Sequence, residues 1–161
     1  MPEHRDVVIV AATAAVVVGI DQFSKAAIVA AIGPGSASSR INLGNDWLAL
    51  EYAENRGAAF GLFSSLTPVL IAVSAVILVG VLVHFKRAQE QTLTAAVSVG
   101  AIVGGALGNL LDRVRLGFVV DFVAIGPWPN FNVADSAITL GVLGLIWGWI
   151  RPERGALELD G

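Results

Sequence analysis

Four stretches of this chain are apolar over roughly the 20 residues needed to cross about 30 Å of hydrocarbon, and nothing else in it constrains the fold as much. They lie at about 7–32, 67–85, 92–112 and 131–150. Only 14% of the 161 residues are charged and 55% are hydrophobic, whereas a soluble domain carries about 25% charged residues. The expected architecture is therefore a mainly α, polytopic membrane protein: one membrane-embedded domain over residues 1–161 with four transmembrane helices.

Local signals punctuate these runs. Thr67 as N-cap and Pro68 at the first helical position open the second, and Lys86 and Arg87 close it. Gly100, Gly104 and Gly108 recur every four residues in the third, a face of small residues that lets two helices approach closely in lipid. Arg151 and Pro152 end the fourth. The first run begins like a secretory signal, but Asp21, Lys25 and three further spans follow, so a retained first span is expected. Between spans one and two, about residues 33–66 form the largest extramembrane piece, with a β region expected at about 36–64. There "WLALEY" has the look of a strand and "NRGAAFGLF" mixes Gly with aromatics, which points to a small β-sheet lying at the membrane interface between helices 1 and 2.

Charge excludes some classes and leaves orientation open. A net charge of -3 offers no basic surface for nucleic acid. With no Cys there is no disulfide, thiolate metal site or Cys nucleophile. Four spans put both termini on one side. Arg5, Lys86, Arg87, Arg151 and Arg154 fall there, and Lys25, Arg40, Arg56, Arg113 and Arg115 fall on or near the other. The Lys/Arg bias that normally sets topology is tied.

An ionisable side chain inside a span costs free energy and is a functional hypothesis by default. The chain has three such clusters. In "DQFSK", Asp21 and Lys25 are one helical turn apart and can pair on one face, which a purely structural ion pair would also explain. Ser24 and Lys25 are adjacent, point about 100° apart on a helix, and so make a poor nucleophile–base dyad. In "GNLLDR", Asn109 and Arg113 share a face with Asp112 beside them. Snorkelling to headgroups would account for Arg113 but not for Asn109.

The third cluster is Asp121 with "FNVAD". Asn132 and Asp135 could be no more than a capping box opening the fourth helix. That leaves Asp121 unexplained. The Gly and two prolines of "FVAIGPWPN" can fold the chain back so that Asp121 and Asp135 meet. Two carboxylates in a low-dielectric pocket cannot comfortably both ionise, so one keeps a proton. Such a pair can activate water against an amide and protonate the leaving nitrogen. His4 and His84 lie at span ends on the side of the termini, and no metalloprotease or phosphate-loop motif is present.

Taken in order, "DQFSK", "NRGAAFGLF", "GGALGNLLDR", "GFVVDF" and "FNVADSAI" resemble the lipoprotein signal peptidase (signal peptidase II) family of bacterial membrane aspartyl proteases, over most of the chain. The resemblance implies a catalytic pair at Asp121 and Asp135. It implies supporting or substrate-binding roles for Asp21, Lys25, Asn55, Gly57, Gly105, Gly108, Asn109, Arg113 and Asn132. It also implies an endopeptidase that cuts prolipoproteins on the amino side of a diacylglyceryl-modified Cys, at the outer face of the bacterial cytoplasmic membrane, with both termini cytoplasmic and the small β-sheet extracytoplasmic. No metal or organic cofactor and no obligate protein partner are implied; membrane lipid is the medium. The residues around Phe60 to Phe63 would cover the substrate. Two other classes compete. A small carrier could use the same acids as a proton relay, but no inverted repeat is visible and the acids lie near span ends. A non-catalytic adaptor packed through Gly100, Gly104 and Gly108 would leave Asp121 without a purpose.

Overall fold

The computed structural model describes residues 4–57, 67–87 and 92–150. In chain order these form α1 (His4–Ile32), β1 (Arg40–Leu43), β2 (Asn45–Asn55), α2 (Thr67–Arg87), α3 (Leu93–Leu116), β3 (Val119–Ile125) and α4 (Val133–Ile150). Each apolar run is a helix. Asp21 and Lys25 do not interrupt α1, because the pair closes within the helix at 2.9 Å. Thr92 caps α3 by accepting the Ala95 N–H at 3.1 Å. Gly117 ends it in the left-handed region (φ 81°), returning its N–H to the Arg113 carbonyl.

The central helix is α3. It packs along α1 on one side and α4 on another, and more lightly against α2. The glycine face foreseen in the sequence meets α1: Gly100 lies on Val10 and Thr13, Gly104 on Ala14 and Val17, and Gly108 on Asp21. A Cβ at Gly104 would sit 2.8 Å from the Ala14 carbonyl oxygen and 2.8 Å from Val17 Cβ, so only glycine permits this spacing. Gly105 turns the other way, against Ala134 and Ile138, and Gly141 of α4 lies on Ser98 and Ile102. Close backbone approach on both sides of α3 thus fixes α1 and α4 relative to each other.

The remaining surface is apolar where a soluble protein would be polar. Phe23, Val76, Leu140 and Ile150 are each at least 67% exposed. Among the described residues, α1 and α3 are long and apolar enough to cross a membrane, and only 17% of the most apolar window of α1 is buried. That exposure fits a helix presented to lipid, not the core helix of a soluble fold.

A three-stranded antiparallel sheet, in the order β1-β2-β3, sits at the C-terminal end of α1, where Ile28 and Ile32 pack on Phe122. The region between α1 and α2 supplies two of its strands. The third, β3, comes from after α3, so the expectation of a sheet confined to residues 36–64 is corrected. The apolar run Val119–Ile125 shows no alternation because both of its faces are covered for most of its length, which hides a strand from period-2 inspection. Asp121 stands opposite Ala53, and Val119 opposite Asn55. The expected cover at Phe60 to Phe63, the stop at Arg151 and Pro152, and the capping side chain of Thr67 lie outside the described residues.

Candidate active site

Four elements converge where β3 meets the N-terminus of α4. Asp121, in the middle of β3, is 2% exposed, and each of its carboxylate oxygens accepts an amide donor. Asn55 Nδ2, from the end of β2, donates to Oδ2 at 2.9 Å, and Asn132 Nδ2 donates to Oδ1 at 2.7 Å. The antiparallel register explains the first contact. Asn55 lies two residues from Ala53, the partner of Asp121, and diagonal neighbours on one face are within reach of an amide. Gly57 fixes the Asn55 amide by donating its N–H to Oδ1 at 2.8 Å.

Asp135 is half-buried in the first turn of α4. Its Oδ1 accepts from Asn109 Nδ2 at 2.8 Å and its Oδ2 from the Asn132 backbone N–H at 3.2 Å. The Asp135 N–H returns to Asn132 Oδ1 at 3.0 Å, so the capping box is formed in full. Capping does not isolate Asp135 from Asp121, because one residue, Asn132, contacts both. It is fully buried, holding Asp121 with its side chain and Asp135 with its backbone.

Burial pushes the Asp121 carboxyl up to about 6, and the Asp135 charge acts in the same direction. The donations from Asn55 and Asn132 and the more distant Lys25 charge pull against it. One carboxyl therefore holds a proton far more readily than an exposed aspartic acid, beside a second carboxylate that receives two donors of its own.

The other expected residues surround the pair. Lys25 is buried and gives its ammonium to Asp21 at 2.9 Å, Asp112 at 2.8 Å and Asn109 Oδ1 at 3.0 Å. Because Lys25 can only donate, Asn109 must turn its oxygen toward Lys25 and its nitrogen toward Asp135. Gly105 and Gly108 make room for Ala134 and Asp21. Arg113 is half-buried, and the charges acting on it are those of Asp135, Asp121 and Asp112. Ser24 donates to the Asp21 carbonyl at 2.9 Å, a helix-backbone contact that leaves it no part in the cluster.

Two members escaped the sequence reading. Gln22 Nε2 donates to Asp112 Oδ1 at 2.9 Å, and Asp112 binds Lys25. The signal available was helical spacing: Asp112 is three residues from Asn109 and four from Gly108, on the same face of α3.

A family model described as signal peptidase (SPase) II matches residues 13–151. The chain belongs to the signal peptidase II family. Among its relatives, the lipoprotein signal peptidase of Syntrophomonas wolfei is 44% identical over 145 residues, covering 87% of this chain and 94% of that one. That of Moorella thermoacetica is 38% identical over 144 residues, covering 88% and 94%. A solved bacterial membrane enzyme superposes with a TM-score of 0.77 at 28% identity, covering 98% of this chain and 94% of that one. Another, at 29% identity, gives 0.76 over 91% and 93%. The likeness to signal peptidase II thus covers residues 13–151, and the protein is a peptidase whose structural neighbours are bacterial membrane enzymes.

Proposed function

We propose that this peptidase removes the signal peptide from diacylglyceryl-modified prolipoproteins, cutting on the amino side of the lipidated Cys, with Asp121 and Asp135 as its catalytic dyad. The observation that carries this is Asn132, which holds both carboxylates at once while burial raises one of them. The dyad takes one shared proton. Asp135, as carboxylate, accepts a proton from a water whose oxygen attacks the scissile carbonyl carbon; Asp121, as acid, protonates the carbonyl oxygen. The resulting tetrahedral diol collapses when the amide nitrogen receives the proton held by Asp135 and one diol hydroxyl returns its proton to Asp121, breaking the C–N bond, freeing a carboxylic acid and an amine, and restoring the one-proton dyad. Asn55, Asn109 and Asn132 orient the pair, Gly57 fixes Asn55, and Arg113 faces the substrate backbone or headgroup region. Asp21, Lys25, Gly105 and Gly108 support the dyad from behind.

The chain would cross the bacterial cytoplasmic membrane four times, over about 7–32, 67–85, 92–112 and 131–150, as one domain with both termini cytoplasmic. The sheet and the dyad would lie at the outer face, where a scissile bond tethered to lipid is presented. The tied Lys/Arg count is compatible with this orientation. Lys25, Arg40 and Arg56 are paired with Asp21 and Asp112, Glu51 and Glu54, so their charge is largely neutralised where they sit.

The deciding experiment is cleavage of a diacylglyceryl-modified prolipoprotein by purified protein in detergent. Asp121→Asn, Asp135→Asn and an unlipidated substrate serve as comparisons. Wild type should cut only the lipidated form, and each folded Asn variant should be inactive. Variants that still cut would leave Asp135 a capping residue and put the chemistry elsewhere.

A further inference from the structure

Lys25 uses its three ammonium hydrogens on Asp21, Asp112 and Asn109, all of them buried. What the two carboxylates do beyond neutralising Lys25 is more specific. Asp21 Oδ1 accepts the backbone N–H of Ala134 at 3.0 Å. Asp112 Oδ2 accepts the backbone N–H of Val120 at 3.2 Å. Ala134 immediately precedes Asp135, and Val120 immediately precedes Asp121. Each carboxylate bound to Lys25 therefore grips the main chain one residue before one member of the dyad. Gln22 Nε2 ties the two grips together, donating to Asp21 Oδ2 at 3.1 Å, Asp112 Oδ1 at 2.9 Å and the Gly108 carbonyl at 3.3 Å.

We infer that Asp112 is a positioning residue for the dyad, one jaw of a clamp whose other jaw is Asp21 and whose pin is Lys25. The inference rests on Asp121 and Asp135 being that dyad. Asp112 fastens β3 to α3, Asp21 fastens the first turn of α4 to α1, and Lys25 joins the jaws. The separation of Asp121 from Asp135 is then set by one ammonium group and not only by the turn that links β3 to α4. A simple charge-balancing role for Asp112 would need no bond to Val120, and a simple strand-capping role would need none to Lys25; Asp112 makes both with one oxygen.

Separating these roles takes Asp112→Glu, Asp112→Asn and Lys25→Met, with Asp121→Asn as reference, assayed for melting temperature in detergent and for kcat and KM on a lipidated substrate. Asp112→Glu keeps the negative charge for Lys25 but carries the carboxylate past the Val120 N–H. It should melt close to wild type, with kcat lower by about 10–100-fold and KM within about twofold. Combining Asp112→Asn with Lys25→Met should cost no more in kcat than the worse single change, because both open the same clamp. Asp112→Glu at wild-type kcat, or losses that only follow the folded fraction, would overturn the clamp while an inactive Asp121→Asn leaves the dyad standing. An active Asp121→Asn would overturn the dyad assignment, and the positioning role would fall with it.

Discussion

Asn55→Ala should move the basic limb of the pH profile of kcat/KM upward. In the proposed mechanism the dyad works with one proton, and the buried Asp121 carboxyl, raised to about 6, is the group that would release it as pH rises. Its loss in the free enzyme therefore defines the basic limb. Asn55 Nδ2 donates to Asp121 Oδ2 at 2.9 Å, and that donation favours the ionised form. Removing it makes ionisation harder, so the pKa rises and the acid persists to higher pH. A hydrogen bond to a charged group is worth about 1.5–3 kcal/mol, which corresponds to about one to two pKa units at 1.36 kcal/mol each. Asn55 lies on the exposed side of the site, where water takes over part of its donation, so a shift of about one unit is expected. Initial rates on a lipidated peptide across pH 5–9, in one detergent and at constant ionic strength, measure it. A basic limb that stays put or moves down would refute the assignment of Asp121 as the proton carrier, whatever happens to the maximal rate.

Two further outcomes concern stability. Gly104→Ala places a methyl group 2.8 Å from both the Ala14 carbonyl oxygen and Val17 Cβ, so α1 must move off α3. It should destabilise the protein by about 1–3 kcal/mol, read as a lower melting temperature in detergent. Gly80→Ala in α2, with nothing within 4 Å of the new methyl, should not. The second outcome is the pH dependence of stability. An unfolded Asp121 ionises near its ordinary value of 3.8 and the folded one near 6, so the folded state binds more protons between those values. Its contribution to stability is fully present below about pH 4 and is lost as pH rises through about 6, at most about 3 kcal/mol. Asp121→Asn lacks this term, so its melting temperature should gain on wild type across that window, and a constant difference would contradict the raised pKa.

What could be read from the sequence was what local spacing encodes. Apolar runs mark all four helices, and four-residue spacing correctly pairs Asp21 with Lys25 and puts Gly100, Gly104 and Gly108 on one face. The structural ion pair was the right expectation for Asp21 and Lys25 as far as it went. It missed Asp112, because Gln22 and Asp112 meet across 90 residues of sequence and no local period reports such a partner. Asp112 also sits between Leu111 and Arg113 near the end of α3, where an acid reads as the polar rim of a span. The strand at Val119–Ile125 was hidden for the opposite reason: burial on both faces leaves it uniformly apolar apart from Asp121. Snorkelling would account for Arg113 in the sequence as well as a supporting role does, and the structure places it half-buried within the field of three carboxylates.

The chemistry proposed for Asp121 and Asp135 depends on what does not touch them. A cation in direct contact with Asp121 would lower its pKa by about one to three units, removing the acid that protonates the scissile carbonyl oxygen in the proposed mechanism. Every donor that reaches the four dyad oxygens from the described residues is instead a neutral amide: Asn55, Asn109, and the side chain and backbone of Asn132. Lys25 stands one residue behind them. Its charge is balanced by Asp21 and Asp112, and Asn109 is the side chain that links it directly to the Asp135 carboxylate. Among the influences on Asp121 the pull of Lys25 is the smallest named, behind burial, the two amides and Asp135. Two extra acids buried beneath the site would therefore let a lysine position the proposed dyad without neutralising its proton chemistry.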